Sequence, residues 1–215
     1  ADATMQSGQV FPLETRPTLG GRVLGRDGLA VRGARVTAVL TSGAAIYEPG
    51  GIDVLALAQH RARTGDIDGF ESATAILERD FWSAPCELCI LCADDGCLDI
   101  VRAEQCRARV VVEVGAANID AGAEEMLSRQ GIEIVPDLLA GAAADVASAL
   151  EWREARLEPG FRKEDLDAHV HRQMTLAARR VRVARARYEC DLRTAAICAG
   201  LERIGKVYEI RGVFP

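Results

Sequence analysis

Four cysteines stand close together in the middle of the chain, spaced Cys86-x2-Cys89-x2-Cys92-x4-Cys97. Four thiolates within twelve residues are enough ligands for a zinc ion or an iron–sulfur cluster. The residues between them, Glu-Leu and Ile-Leu, are not the glycine or polar residues that a ligand loop needs, and a strand would turn Cys89 away from its neighbours. We therefore interpret the run as buried core cysteines and expect no metal site, with a metal or cluster as the alternative.

Other polar residues give weaker evidence of a binding or catalytic site. Three aspartates follow the cysteine run: Asp94, Asp95 and Asp99. They come where a strand would end, which is where ligands bind in parallel sheets, although solvated loop residues have the same pattern. Three histidines, His60, His169 and His171, are not spaced with carboxylates or cysteines in a metal or catalytic motif. We assign no catalytic residue.

Alternating strands and helices position these groups. The β-type runs are Ala34–Leu40, Leu88–Cys92, Ala108–Glu113 and Ile132–Val135, and helical segments lie near 53–64, 72–79, 98–105 and 120–130. Longer helices follow over 143–155, 162–189 and 192–210, the last with Asp191 as its cap and Gly212 just past its end. This alternation predicts an α/β fold, a truncated Rossmann-like parallel sheet with helices on both faces, followed by a long helical C-terminal tail.

Composition narrows the class of partner. The net charge of -6 disfavours nucleic acid, and we interpret the arginine-rich stretch 171–187 as a solvated helix face, with an acidic protein partner as the alternative. No stretch approaches the ~20 apolar residues of a membrane span, and the first residues do not have the pattern of a signal peptide. The seven cysteines indicate reduced thiols, so we expect a cytoplasmic protein without a membrane partner.

A gap separates this chain from a complete dinucleotide-binding fold. The run GGRVLGRDGLAVRG, residues 20–33, leads straight into the strand Ala34–Leu40. A strand, a glycine-rich turn and a helix normally precede that point, and the turn lets backbone N–H groups approach the pyrophosphate. We expect the loss of that first strand to leave an open edge in the middle of the sheet.

Four stretches carry a family resemblance: Gly33–Leu57, Arg109–Ala140 with GIEIVPDLLA, Ala149–Trp152, and Asp191–Pro215 with DLRTAA. In this order they resemble the nucleotide domain and C-terminus of the glutamate/leucine/phenylalanine/valine dehydrogenase family. The family's members deaminate amino acids with NAD or NADP. The resemblance implies that residues 1–33 are an extended lead-in with a hinge remnant, 34–152 a truncated Rossmann-like domain, and 153–215 a helical segment packing on it.

The resemblance also implies a degraded site. The segment with the family's catalytic lysine and aspartate has no counterpart, and the hinge motif runs on without a GFGNVG-type turn. The usual acidic residue after the second strand is replaced by Leu40 or Thr41, and the NAGG loop reads GAAA from Gly141. Asn118 matches a cofactor-proximal asparagine of the leucine and phenylalanine branch, and Ser148 a substrate-contacting serine of the glutamate branch; both are equally compatible with structural roles.

These positions lead to a functional expectation. We expect a chain that is catalytically inactive alone and serves as a structural or regulatory subunit, without a resident cofactor. Its partner would be a second copy or an intact dehydrogenase subunit. The alternative is an NAD- or NADP-dependent amino-acid oxidoreductase that a partner chain completes.

Overall fold

The computed structural model describes residues 9–15, 34–92, 96–157 and 163–212. The chain divides into two compact units, Ala1–Ile134 and Val135–Pro215. The first unit holds the sheet and the second holds the four C-terminal helices. The predicted domain boundary after residue 152 stays a prediction.

Within the described ranges, the sheet has eight strands. They are β1 Gln9–Thr15, β2 Ala34–Val36, β3 Ala38–Leu40, β4 Ala45–Tyr47, β5 Thr74–Ile76, β6 Cys86–Cys92, β7 Ala108–Glu113 and β8 Glu133–Val135. Their order is β5-β4-β3-β1-β6-β7-β8, with β2 also paired to β1. β6 and β7 pair in parallel, so the predicted α/β fold with a parallel sheet is confirmed, although β1 and β4 run antiparallel to their neighbours.

The strand β1 occupies the centre of the sheet, between β3 and β6. Its pairing with β6 runs from Gln9 opposite Cys92 to Leu13 opposite Leu88, and Val10 lies opposite Leu40 of β3. The expected open edge in the middle of the sheet is therefore wrong. A segment of the lead-in supplies the hydrogen-bonding partner that the neighbouring strands require.

A β-bulge divides the predicted strand Ala34–Leu40 at Thr37. Leu13 pairs with Val36, whereas Val10 pairs with Leu40, so β1 advances three residues while its partner advances four. The extra residue falls opposite the part of β1 that contains Pro12, which has no N–H to donate. The carbonyl of Thr37 instead accepts a bond from the backbone N–H of Glu48 at 2.7 Å.

Helices cover both faces of the sheet. The first unit contains α1 Val54–Thr64, α2 Glu78–Ser83, α3 Ile100–Gln105 and α4 Ala121–Arg129. One core cluster joins α2, α3 and α4 to Cys89, Leu91 and Val111, and a second joins Leu57 of α1 to the opposite face. The predicted helix at 72–79 is wrong over Thr74–Ile76, because these residues pair with β4 at the edge of the sheet.

The second unit consists of α5 Asp137–Ala140, α6 Ala142–Leu157, α7 Lys163–Tyr188 and α8 Leu192–Arg211. α7 and α8 pack through small buried residues: Val181, Ala184, Ala195 and Ala199. The predicted cap is confirmed, since the Asp191 carboxylate accepts from the backbone N–H of Thr194 at 2.8 Å, and Gly212 ends α8 with a φ of 75°. Among the described residues, no helix is both long enough and apolar enough to cross a bilayer.

Candidate functional site: the carboxyl edge of the sheet

The strands β3, β6 and β7 end at one edge of the sheet, which we call the carboxyl edge. Ligands of open α/β sheets bind there, in the crevice beyond the strand ends. In the described part of this chain, the segments that begin at Thr41 after β3 and at Val114 after β7 lie at this edge. β1 runs in the opposite direction and so contributes its first residue, Gln9, to this edge.

Thr41 stands after β3, where the family's acidic residue would hold the ribose. Its hydroxyl donates to Asp66 Oδ1 at 2.9 Å, and the same carboxylate oxygen accepts from the backbone N–H of Ile67 at 2.7 Å. A Cβ on Gly43 would collide with the other oxygen of Asp66, so only glycine fits there without a shift. The acidic side chain of Asp66 therefore does lie beside the end of β3, but its hydrogen bonds stabilise the 41–44 turn.

Glu113, the last residue of β7, is fully buried beside the following loop. Its Oε1 accepts from the backbone N–H of Ile119 at 3.1 Å. Glu113 could not be singled out from the sequence, because an acidic residue at a strand end resembles the start of a solvated loop. Its burial identifies it as the group that fixes the path of residues 114–119.

Asn118 lies in that loop, at the predicted edge of the sheet. The residue is 0% exposed, and its backbone carbonyl accepts from the backbone N–H of Leu98 at 2.9 Å. Ala117 just before it has a φ of 49°, a left-handed conformation that costs a non-glycine residue free energy. A dinucleotide would reach the Asn118 side chain only after the pairing between Leu98 and this loop had opened.

Cys97 and its neighbours complete this side of the edge. Burial raises the pKa of the Cys97 thiol to about 12, with Arg102 acting in the lowering direction and Glu113 in the raising direction. The Arg102 guanidinium donates to the Cys97 carbonyl at 2.9 Å and to Glu78 at 2.8 Å. A thiol with such a raised pKa is neutral at pH 7 and is a poor nucleophile or ligand.

The other cysteines of the run belong to the core. Cys89 is buried within the main cluster, and burial raises the pKa of its thiol well above the usual value. Cys86 and Cys97 pack at the margin of the same cluster. Within the described ranges, no three His, Cys, Asp or Glu side chains are placed together to hold a metal ion. Asp99 caps α3 through the backbone N–H of Arg102 at 2.9 Å, and Asp94 and Asp95 lie outside the described residues.

The substrate-side positions belong to the second unit. Ser148 is an exposed residue of α6, so its predicted role in substrate binding stays a prediction. The predicted counterpart of the substrate loop is almost entirely helical: α5 ends at Ala140, Gly141 has a right-handed helical conformation, and α6 begins at Ala142. The loop that would expose backbone to a substrate is thus reduced to one residue between two helices.

A groove of about 520 Å³ lies at the opposite, amino edge of the sheet. It is lined by the first residues of β6 and β7 and by the turn before β8, including Glu87, Arg109 and Glu133. Because this edge faces away from the strand ends, the groove does not correspond to a nucleotide crevice.

The fold defines a protein class, an open α/β sheet of the Rossmann type with helices on both faces. The sequence profile of the glutamate/leucine/phenylalanine/valine dehydrogenase family matches residues 27–212, and the chain belongs to this family. It is 31% identical to glutamate dehydrogenase A2 of Halobacterium salinarum over 88% of this chain and 46% of that protein. It is 28% identical to the glutamate dehydrogenase of Thermotoga maritima over 85% of this chain and 44% of that protein.

A solved structure supports the same assignment. The chain superimposes on the hetero-hexameric glutamate dehydrogenase of Thermus thermophilus, in its leucine-bound form, with a TM-score of 0.74 and 31% identity. The match covers 84% of this chain and 42% of the Thermus chain. The chain therefore spans less than half the length of the relatives it matches.

Proposed function

We propose that this chain is catalytically inactive alone and acts as a structural or regulatory subunit of an amino-acid dehydrogenase assembly of the glutamate type. The observation that carries the proposal is the direction of β1. Thr15, at the end of β1, pairs with Ala34, at the start of β2, so both residues lie at the amino edge of the sheet. β1 therefore ends, and β2 begins, at the edge of the sheet opposite to the nucleotide crevice.

The consequence concerns the cofactor. In a dinucleotide-binding fold the glycine-rich turn follows the central strand at the carboxyl edge and presents N–H groups to the pyrophosphate. Here the central strand reaches the carboxyl edge with its N-terminal end, Gln9. The buried Asn118 and the turn held by Thr41 and Asp66 offer no substitute for that turn.

The quaternary structure of a solved relative supports a dehydrogenase subunit as the partner of this chain. The Thermus protein is a hetero-hexamer, in which chains of more than one kind form one assembly. A chain of the same family with a degraded cofactor site fits the place of a second kind of subunit. Because leucine is bound in that structure, leucine is the first amino acid to test as an effector here.

Two measurements test the proposal. NADH and NADPH are titrated into the chain by calorimetry, and we expect no binding tighter than ~100 µM, about −5.5 kcal/mol. The chain is also co-expressed with an intact glutamate dehydrogenase subunit, and we expect co-purification and a change in the turnover or leucine response of that enzyme. Absence of any complex or kinetic change would refute the regulatory role.

The alternative is an NAD(P)-dependent amino-acid oxidoreductase, carrying out oxidative deamination, that a partner chain completes. The position of Asn118 at the carboxyl edge supports it. Binding of NADH or NADPH tighter than ~100 µM would favour this alternative. It also predicts that Asn118→Ala weakens that binding, whereas Ser83→Ala, at the exposed end of α2, leaves it unchanged.

A further inference from the structure

The C-terminal helix α8 has a second apolar face on the side away from α7. Four large side chains follow one another along it: Ile197, Leu201, Ile204 and Tyr208, which are 47%, 61%, 53% and 52% exposed. At 100° per residue these positions lie within about 60° of one another. The steps of four, three and four residues are those of a heptad seam between two helices. We call these four residues the α8 stripe.

Two glycines flank the α8 stripe. Gly200 and Gly205 lie inside the helix, one on each side of the stripe, and no atom comes within 4 Å of the Cβ that either would carry as alanine. Glycine is less favourable than alanine in a helix interior, so the isolated chain gains nothing from them. Small residues beside a helical seam do, however, let a second backbone approach closely.

The arrangement is complementary to itself. When two copies of α8 run antiparallel about a two-fold axis between residues 202 and 203, Leu201 faces the partner's Ile204 and Ile197 faces the partner's Tyr208. The same axis brings Gly200 level with the partner's Gly205, on opposite sides of the seam. A two-fold interface requires one patch to fit its own copy, and this stripe meets that requirement without placing a charged residue at its centre. We propose that α8 pairs antiparallel with α8 of a second copy of this chain.

The size of the patch sets the strength of the pairing. The exposed parts of the α8 stripe amount to roughly 400 Å², which is the size of the largest apolar patch on a typical monomeric protein, and such patches are often functional. A standard interface buries about 800 Å² per partner, so the stripe supports a reversible dimer rather than an obligate one. The dimer does not depend on the proposed function, because the stripe is the same whether or not the chain binds a dinucleotide.

Sedimentation equilibrium of the full chain, with a thiol reductant, tests the pairing. Over about 1 to about 200 µM we expect the wild type to pass from monomer to dimer, and Leu201→Glu to raise the dissociation constant at least about tenfold. The matched control is Ile210→Glu, since Ile210 is 84% exposed and lies half a turn away from Leu201. A wild type that stays monomeric throughout, or dimers that Leu201→Glu and Ile210→Glu affect equally, would overturn the proposal.

A double variant, Gly200→Ala with Gly205→Ala, separates the interface from folding. Alanine raises the helix propensity of α8, so the monomer should unfold at a higher temperature, while the added methyl groups hold the two backbones apart and weaken dimerisation. Opposite signs of the two effects support the close antiparallel approach. A dimer as strong as that of the wild type would overturn it.

Discussion

A proline in β1 tests whether this strand holds the centre of the sheet. Phe11 pairs with Ile90 of β6, and its neighbour Val10 pairs with Leu40 of β3, so the backbone N–H of Phe11 lies between two strands of the sheet. Phe11→Pro removes that N–H and leaves a carbonyl without its donor, which lowers the free energy of unfolding by about 1–3 kcal/mol. Strain from the proline ring brings the total loss to about 3 kcal/mol. The control Phe11→Ala removes the side chain and keeps the N–H.

Trp82 provides the signal for the assay. It is 4% exposed in the main core of the first unit, whereas Trp152 is 61% exposed and is replaced by Phe in all variants. Urea unfolding followed by Trp82 fluorescence gives the free energy of unfolding of that unit, and amide exchange gives the protection of β6. We expect Phe11→Pro to lie about 3 kcal/mol below Phe11→Ala, with faster exchange in β6. Equal stabilities and unchanged exchange would refute the central position of β1, and with it the argument against a nucleotide crevice.

Two further predictions concern the cap of α8 and the loop after β7. Asp191→Ala should lower the free energy of unfolding by about 1 kcal/mol, and Asp191→Asn should lower it much less. Although burial acts to raise the pKa of Asp191, its hydrogen bonds from Thr194 lower this pKa in the folded state. The stabilisation by the cap is therefore present above the unfolded pKa and is lost as the pH falls through the folded pKa, which thermal unfolding measured against pH will show. Glu113→Ala should cost about 1–3 kcal/mol more than Glu113→Gln in urea unfolding, because glutamine keeps an oxygen for the N–H of Ile119; equal losses would contradict this role.

Local patterns predicted most of the fold. β7 runs over Ala108–Glu113 as predicted, because its apolar run Val110–Val112 is buried or half-buried on both faces. The N-cap and the C-terminal end of α8 could also be predicted, since each depends on a single residue, Asp191 or Gly212. β5 was not, because three residues at a sheet edge depend on a partner strand about thirty residues away rather than on their own pattern.

The contacts of the candidate site could not be predicted from the sequence. The family resemblance implied that Asn118 is close to the cofactor, but its burial depends on the pairing of Leu98 with the loop after β7. Asp66 was missed because it reaches Thr41 across 25 residues of chain. Glu113 was missed because a buried carboxylate is recognised by its surroundings, not by its spacing.

The central strand connects the sequence gap to the loss of the cofactor site. A parallel strand in this place would need a crossover of a dozen or more residues to return to the amino edge, which is what the family's turn and helix supply. An antiparallel β1 needs no crossover, because Thr15 and Ala34 already lie side by side. Pro12 makes this position hard to foresee, since proline is rare in central strands, and it lies in the part of β1 opposite the bulge at Thr37. The sheet keeps its centre, therefore, but with a strand that ends at the amino edge, opposite to the nucleotide crevice.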